Sequence, residues 1–232
     1  MTVLNTPGNR PMHPTVHRKG FTLIEMLFVG AILLVVAFAL ACWIQRAIGC
    51  GPNAAIKNRG RGIWQAIMSA NMEREATELG PLWPHELRLP VDQGGGGQAF
   101  TTATEYFKIL MTGERPEKQL VPDFRPEYLG GPGYPPTSTA TALTANNIAW
   151  RVAEVSEGSL GGDAFMISKD LAPVTRSGAS NEHVVLSRSG PYNGKYVVWV
   201  TRGGGVFHAR KIYVTKWGAF FPSTNNVPFL PD

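Results

Sequence analysis

RKGFTLIEMLFVGAILLVVAFALACWI, residues 18–44, is the stretch whose reading decides the fold. Arg18, Lys19 and Gly20 precede Phe21, and a single carboxylate, Glu25, follows four residues later. From Met26 to Ile44 there is no charge. Those nineteen residues make a helix about 28 Å long at about 1.5 Å per residue, close to the hydrocarbon thickness of a bilayer. A backbone in lipid satisfies its own polar groups only as a helix or a closed barrel, so this run is expected to be a membrane-spanning helix. Glu25 at its edge is the odd residue. A carboxylate there is costly and calls for a partner, yet the spanning run holds no Lys or Arg to supply one.

Gly20, Phe21, Thr22, Leu23, Ile24 and Glu25, followed by the apolar helix, resemble the N-terminus of type IV prepilins and of the pseudopilins of type II secretion. The resemblance covers about a fifth of the chain. It implies cleavage between Gly20 and Phe21 by a prepilin peptidase, then methylation of the new N-terminal Phe21. It also implies that Glu25, the fifth mature residue, pairs with the free amine of a neighbouring subunit during assembly. That pairing would act as a register device in low dielectric, as a buried polar residue does in a coiled coil. Partners implied are the peptidase, other pilin or pseudopilin subunits and the inner membrane. Gly30, Ala31, Ala37, Ala39 and Ala41 are the small residues that would let neighbouring helices approach.

The expected organisation is a leader over 1–20, a hydrophobic assembly helix over 21–50 and an exported globular domain over 51–232. The expected fold class is α+β, with the long N-terminal helix packed on a C-terminal antiparallel β-meander. Net charge is +5, but the leader holds Arg10, Arg18 and Lys19 and no acid, so removing three charges leaves +2. The basic balance belongs largely to the leader, and no nucleic-acid partner is expected. Arg18 and Lys19 precede the span while Arg46, Lys57, Arg59 and Arg61 follow it, which leaves the positive-inside rule nearly silent. The resemblance places the N-terminus in the cytoplasm, with one membrane pass and an extracytoplasmic domain. Ala39-Leu40-Ala41-Cys42 loosely resembles a lipobox, which keeps a membrane-anchored lipoprotein or binding module as the alternative. Cys42 and Cys50 lie about 12 Å apart along one helix, too far for a disulfide.

Gly49-Cys50-Gly51-Pro52 is expected to kink or break the helix. Residues 53–79 read helical again, with Ile56, Ile63, Ile67 and Ala70 on one stripe beside Trp64, until Gly80-Pro81 ends the run. Gly60 and Gly62 weaken that helix. Residues 80–99, including Gly94 to Gly97, read as a flexible loop, Thr101 to Met111 as a short helix, and 113–137, with six prolines, as irregular. Ile148 to Val155 fits either a strand or a short helix. Ala164 to Ser168 and Val184 to Leu186 read as β, and Tyr196 to Thr201 with Val206 to Ile212 flank a hairpin turn at Arg202-Gly203-Gly204-Gly205. Tyr192-Asn193-Gly194-Lys195 is a second turn. Three antiparallel strands in sequence, and an extended tail from Pro222, complete the picture.

No catalytic constellation stands out. His183 has Ser187 and Ser189 nearby, but no Gly-x-Ser-x-Gly surrounds any serine, and Glu182-His183 lacks a second histidine four residues on. His85 and His208 stand apart from these. The last sixty residues hold only Glu182 and Asp232 as acids, too few for a calcium site. No enzyme activity, cofactor or metal is expected. The long loops at 80–99 and 113–147 suggest a specialised subunit.

Overall fold

The computed structural model describes the backbone of residues 22–93, 95–112, 120–210, 216–222 and 227–232; at 42–53 and 91 it describes the backbone alone. The expected leader, the Gly20–Phe21 cleavage point, Ile212 and the thiols of Cys42 and Cys50 lie outside what is described. By contact the chain divides into two units, residues 1–47 and 48–232.

In the first unit the described residues form the opening of helix α1, whose full extent is Leu23–Glu75. The break expected at Gly49-Cys50-Gly51-Pro52 does not occur: the backbone is helical through all four residues. A proline inside a helix forfeits one i→i−4 bond and crowds the carbonyl four residues back. Gly49 and Gly51 just before the proline let the backbone adjust locally, and Ala47, Ala54 and Ala55 are strong helix formers around it.

In the second unit, α1 presents the expected stripe to the core. Ile56, Ile63 and Ile67 are fully buried, Ala70 is buried and Trp64 is half-buried. Gly60 and Gly62, which weaken the helix on propensity, are close-approach points. A Cβ on Gly60 would stand 2.7 Å from Val200 and 2.9 Å from the Trp150 ring, and one on Gly62 would stand 2.9 Å from the Tyr128 ring. The helix stops at Glu75, four residues before the expected end. Glu78 takes φ 59°, Glu78 N donates to Glu75 O and Leu79 N donates to Arg74 O, a Schellman-type stop made without glycine.

The stretch 80–99 is more ordered than a loop. Pro84–Arg88 forms helix α2, with Pro84 at its first turn and Pro84 and Leu87 buried. Val91–Gln93 adds a 3₁₀ turn. Gly96 N donates to Glu86 O and Gly97 N to Leu89 O, so the glycines after residue 94 lie against α2. Helix α3, Ala103–Thr112, buries Tyr106, Phe107 and Leu110 as its sequence stripe requires. Thr101 N and Thr102 N donate to Glu105 Oε2, and Glu105 N donates to Thr102 Oγ1, giving it a capping box. Between residues 120 and 137 the chain is irregular apart from a 3₁₀ turn at Pro126–Leu129.

Among the described residues four antiparallel strands, not three, form the meander: β1 Trp150–Val152, β2 Ala164–Ser168, β3 Tyr196–Thr201 and β4 Val206–Arg210, in that spatial order. The open reading of 148–155 resolves as β1. Val184–Leu186 is not a strand; Leu186 makes only an isolated bridge to Leu171. The side of β3 it would need is taken by β2, through pairs such as Ile167↔Trp199. The Asn193-Gly194 turn has the positive φ angles of a type I′ turn, 52° and 68°, but leads into β3 from an irregular segment.

The β3–β4 hairpin closes at Gly204, φ 86°, with Trp64 Nε1 donating to Arg202 O at 2.7 Å. The outer edge of β1 is covered by residues 227–232 of the tail expected to be extended from Pro222, of which 223–226 lie outside the described residues. Leu230 N donates to Val152 O, Glu154 N donates to Pro228 O, and Phe229 and Leu230 are buried. Asp232 pairs with Arg151 at 2.7 Å and with Lys169 at 3.2 Å.

Candidate functional site

The site is the first turn of α1. Thr22 stands just before the helix and Glu25 three residues later, the spacing at which a side-chain oxygen and a carboxylate satisfy the first free N–H groups. Thr22 N and Thr22 Oγ1 donate to Glu25 Oε2 at 2.8 and 2.9 Å, and Glu25 N donates to Thr22 Oγ1 at 3.3 Å. The carboxylate also complements the positive end of the helix. Both Thr22 bonds fall on Oε2; Oε1 accepts none among the described residues.

Beyond the cap, Leu23–Ala41 is long and apolar enough to cross a membrane, and none of it is buried within the chain. Leu34 and Phe38 are each about seven-tenths exposed, and Ile32 and Leu33 nearly as much. An apolar surface of this kind needs lipid or other helices around it. A Cβ on Gly30 would meet nothing within 4 Å, so that small residue packs against no other described residue. Gly30, Ala37 and Ala41 fall at spacings of seven and four, on one helix face.

Of the residues singled out from sequence, Glu25 is described, while Gly20 and Phe21 lie outside the described residues. Thr22 was not singled out as a partner for Glu25, although the Thr-x-x-Glu signal was present in the sequence. The same device recurs at Thr102 and Glu105, where the Thr101 backbone N–H foremost holds the Glu105 carboxyl below its ordinary range.

In the second unit, the Ser187 and Ser189 hydroxyls hydrogen-bond to each other at 2.6 Å. His85, His183 and His208 are exposed. Among the described residues, no group of three or more His, Cys, Asp or Glu side chains is placed to hold a metal ion. Comparison of the chain with family models, with curated proteins and with solved structures finds no match.

Proposed function

We propose that this chain is a structural subunit of a type IV pilus-like or type II secretion pseudopilus filament. It is made as a precursor, cut between Gly20 and Phe21 by a prepilin peptidase and methylated on Phe21. The observation that carries the reading is one lone carboxylate, the fifth residue past the proposed cut, at the head of an apolar stretch, Leu23–Ala41, that is buried against no other described residue. Cutting after Gly20 leaves the α-amine of Phe21 about one helical turn from Glu25. With Oε2 held by Thr22, Oε1 is the oxygen left for the amine of an adjacent, axially staggered subunit. An ion pair in low dielectric is strongly favourable once both charges are desolvated together. Helix faces carrying Gly30, Ala37 and Ala41 then pack closely, and a heterologous contact that does not close into a ring propagates as a filament. The globular domain lies on the extracytoplasmic side of the inner membrane.

A second reading draws on the capping box. Thr22 gives Glu25 a local role, so the carboxylate needs no neighbour, and the helix would be the anchor of a membrane-tethered binding module or lipoprotein.

Intact and N-terminal peptide mass spectrometry on protein from native membranes separates the two. The filament reading expects a chain beginning at Phe21 with one added methyl group. A chain beginning at Met1, or at a lipidated Cys42, would overturn it.

A further inference from the structure

A cavity of about 870 Å³ opens beside the turn that leads into β3. Arg188, Lys195 and Arg210 line it, and among the described residues no carboxylate does. All three cations are exposed, and none makes an ion pair among the described residues. Three positive charges around one opening exceed the +2 that the whole chain carries beyond residue 20. They come from three separate places in the sequence, and the fold gathers them.

The gathering is held rather than incidental. Arg210 is the register partner of Tyr196, and its guanidinium lies 5.9 Å from the centre of that ring. Tyr192 meets Tyr196 edge-on at 6.0 Å, which fixes the ring from another side. Lys195 follows the Asn193-Gly194 turn. That turn is tied down from beneath by Asp170, fully buried, whose Oδ1 accepts Tyr192 N at 2.8 Å and Gly194 N at 3.1 Å. The Asp170 charge is thus spent on backbone N–H groups, and the cations are left to face solvent.

We propose that this cavity binds a phosphoryl group carrying two or more negative charges, supplied by a free oligophosphate or by the phosphomonoester headgroup of a lipid. Guanidinium forks grip phosphoryl oxygens two at a time, and a lysine adds a point charge. The Asn193 amide, on the same rim, supplies neutral donors. Because Arg210 stands over Tyr196, the aromatic pair positions a cation and does not offer an open face for a stacked base.

The test uses the full chain in nanodiscs of phosphatidylcholine. One arm titrates sodium tripolyphosphate by calorimetry. The other measures retention on phosphatidylcholine vesicles with and without phosphatidic acid. Arg188→Ser and Arg210→Ser each remove a proposed contact, while Arg125→Ser removes a positive charge that does not line the cavity. Unfolding midpoints in urea check that each variant folds. The expected result is binding of tripolyphosphate, of phosphatidic acid vesicles, or of both, weakened about tenfold or more by each cavity variant and about twofold or less by Arg125→Ser. Binding in one arm alone identifies the source. Absence of binding in both arms, or equal weakening by Arg125→Ser and Arg210→Ser, overturns the proposal.

Discussion

Replacing Gly204 by Ala tests how the β3–β4 hairpin is locked to α1. Gly204 sits at φ 86°, and a Cβ there would stand 2.7 Å from the Trp64 ring. Two costs follow. An L side chain in left-handed backbone costs about 1–2 kcal/mol, and forcing a methyl into packed atoms costs about 1–3 kcal/mol. Alanine restricts the unfolded chain more than glycine, which returns about 0.4–1 kcal/mol. The net loss should be about 1–4.5 kcal/mol. Gly133 is the internal control: its φ is 78°, but a Cβ there would meet nothing within 4 Å. Gly133→Ala should therefore lose only the conformational part, about 1 kcal/mol or less. The assay is equilibrium urea unfolding of the full chain in mild detergent, followed by tryptophan emission, to which Trp64 is one of six contributors. The Trp64 indole also donates to Arg202 O, so its displacement should alter the native emission of the Gly204 variant and not that of the Gly133 variant. Equal losses for the two variants would refute the packing argument, and no loss at Gly204 would refute the hairpin geometry itself.

Further outcomes are expected elsewhere. Glu25→Ala should leave cleavage after Gly20 intact and impair entry into filaments, measured as the sheared-filament fraction against total processed protein; wild-type incorporation would end the register role. Gly60→Ala should destabilise the domain although alanine is the better helix former by about 1 kcal/mol, because Val200 and the pinned Trp150 ring occupy the space; a rise in urea midpoint would contradict this. Burial foremost pushes the Asp170 carboxyl above its ordinary 3.8, against the hydrogen bonds that lower it. The folded chain therefore holds that proton more tightly than the unfolded one. The stability this group contributes is fully present below 3.8 and falls as pH rises through its raised value. Asp170→Asn should flatten that portion of the stability profile, read as urea midpoint against pH; an unchanged slope would show that the carboxyl is not raised.

Local signals carried much of the fold. The spacing of Ile56, Ile63, Ile67 and Ala70 marked the buried face of α1, and the glycines after Thr201 marked a hairpin, because both patterns lie within one element. What escaped depended on contacts between distant segments. β1 is three residues long and exists because β2 pairs with it on one side and residues 228–230 cover the other. Val184–Leu186 has strand-like composition, but β2 already occupies the place beside β3. Gly60 and Gly62 look like helix weaknesses until the rings they admit are known. The unbroken helix through Pro52 shows a local rule yielding to strong helix formers on both sides. At the candidate site, Glu25 was legible as the lone charge beside an apolar run. Its bond to Thr22 is equally legible, as a Thr-x-x-Glu pattern. The cationic cavity was not legible, since hairpin register brings Arg210 beside Tyr196 while Arg188 and Lys195 reach the same rim from the irregular segment before β3.

The strap of residues 227–232 along β1 has a consequence for the order of events in synthesis. Arg151 and its partner Asp232 are 81 positions apart, and Phe229 and Leu230 complete the core beside β1. A growing chain that has not yet delivered this segment keeps the β1 edge bare and leaves Arg151 and Lys169 without their shared carboxylate. Closing so long a loop is entropically late. The domain is thus held short of its native state until residues 227–232 are in place. A few residues far downstream act as a built-in delay on the folding of everything that precedes them.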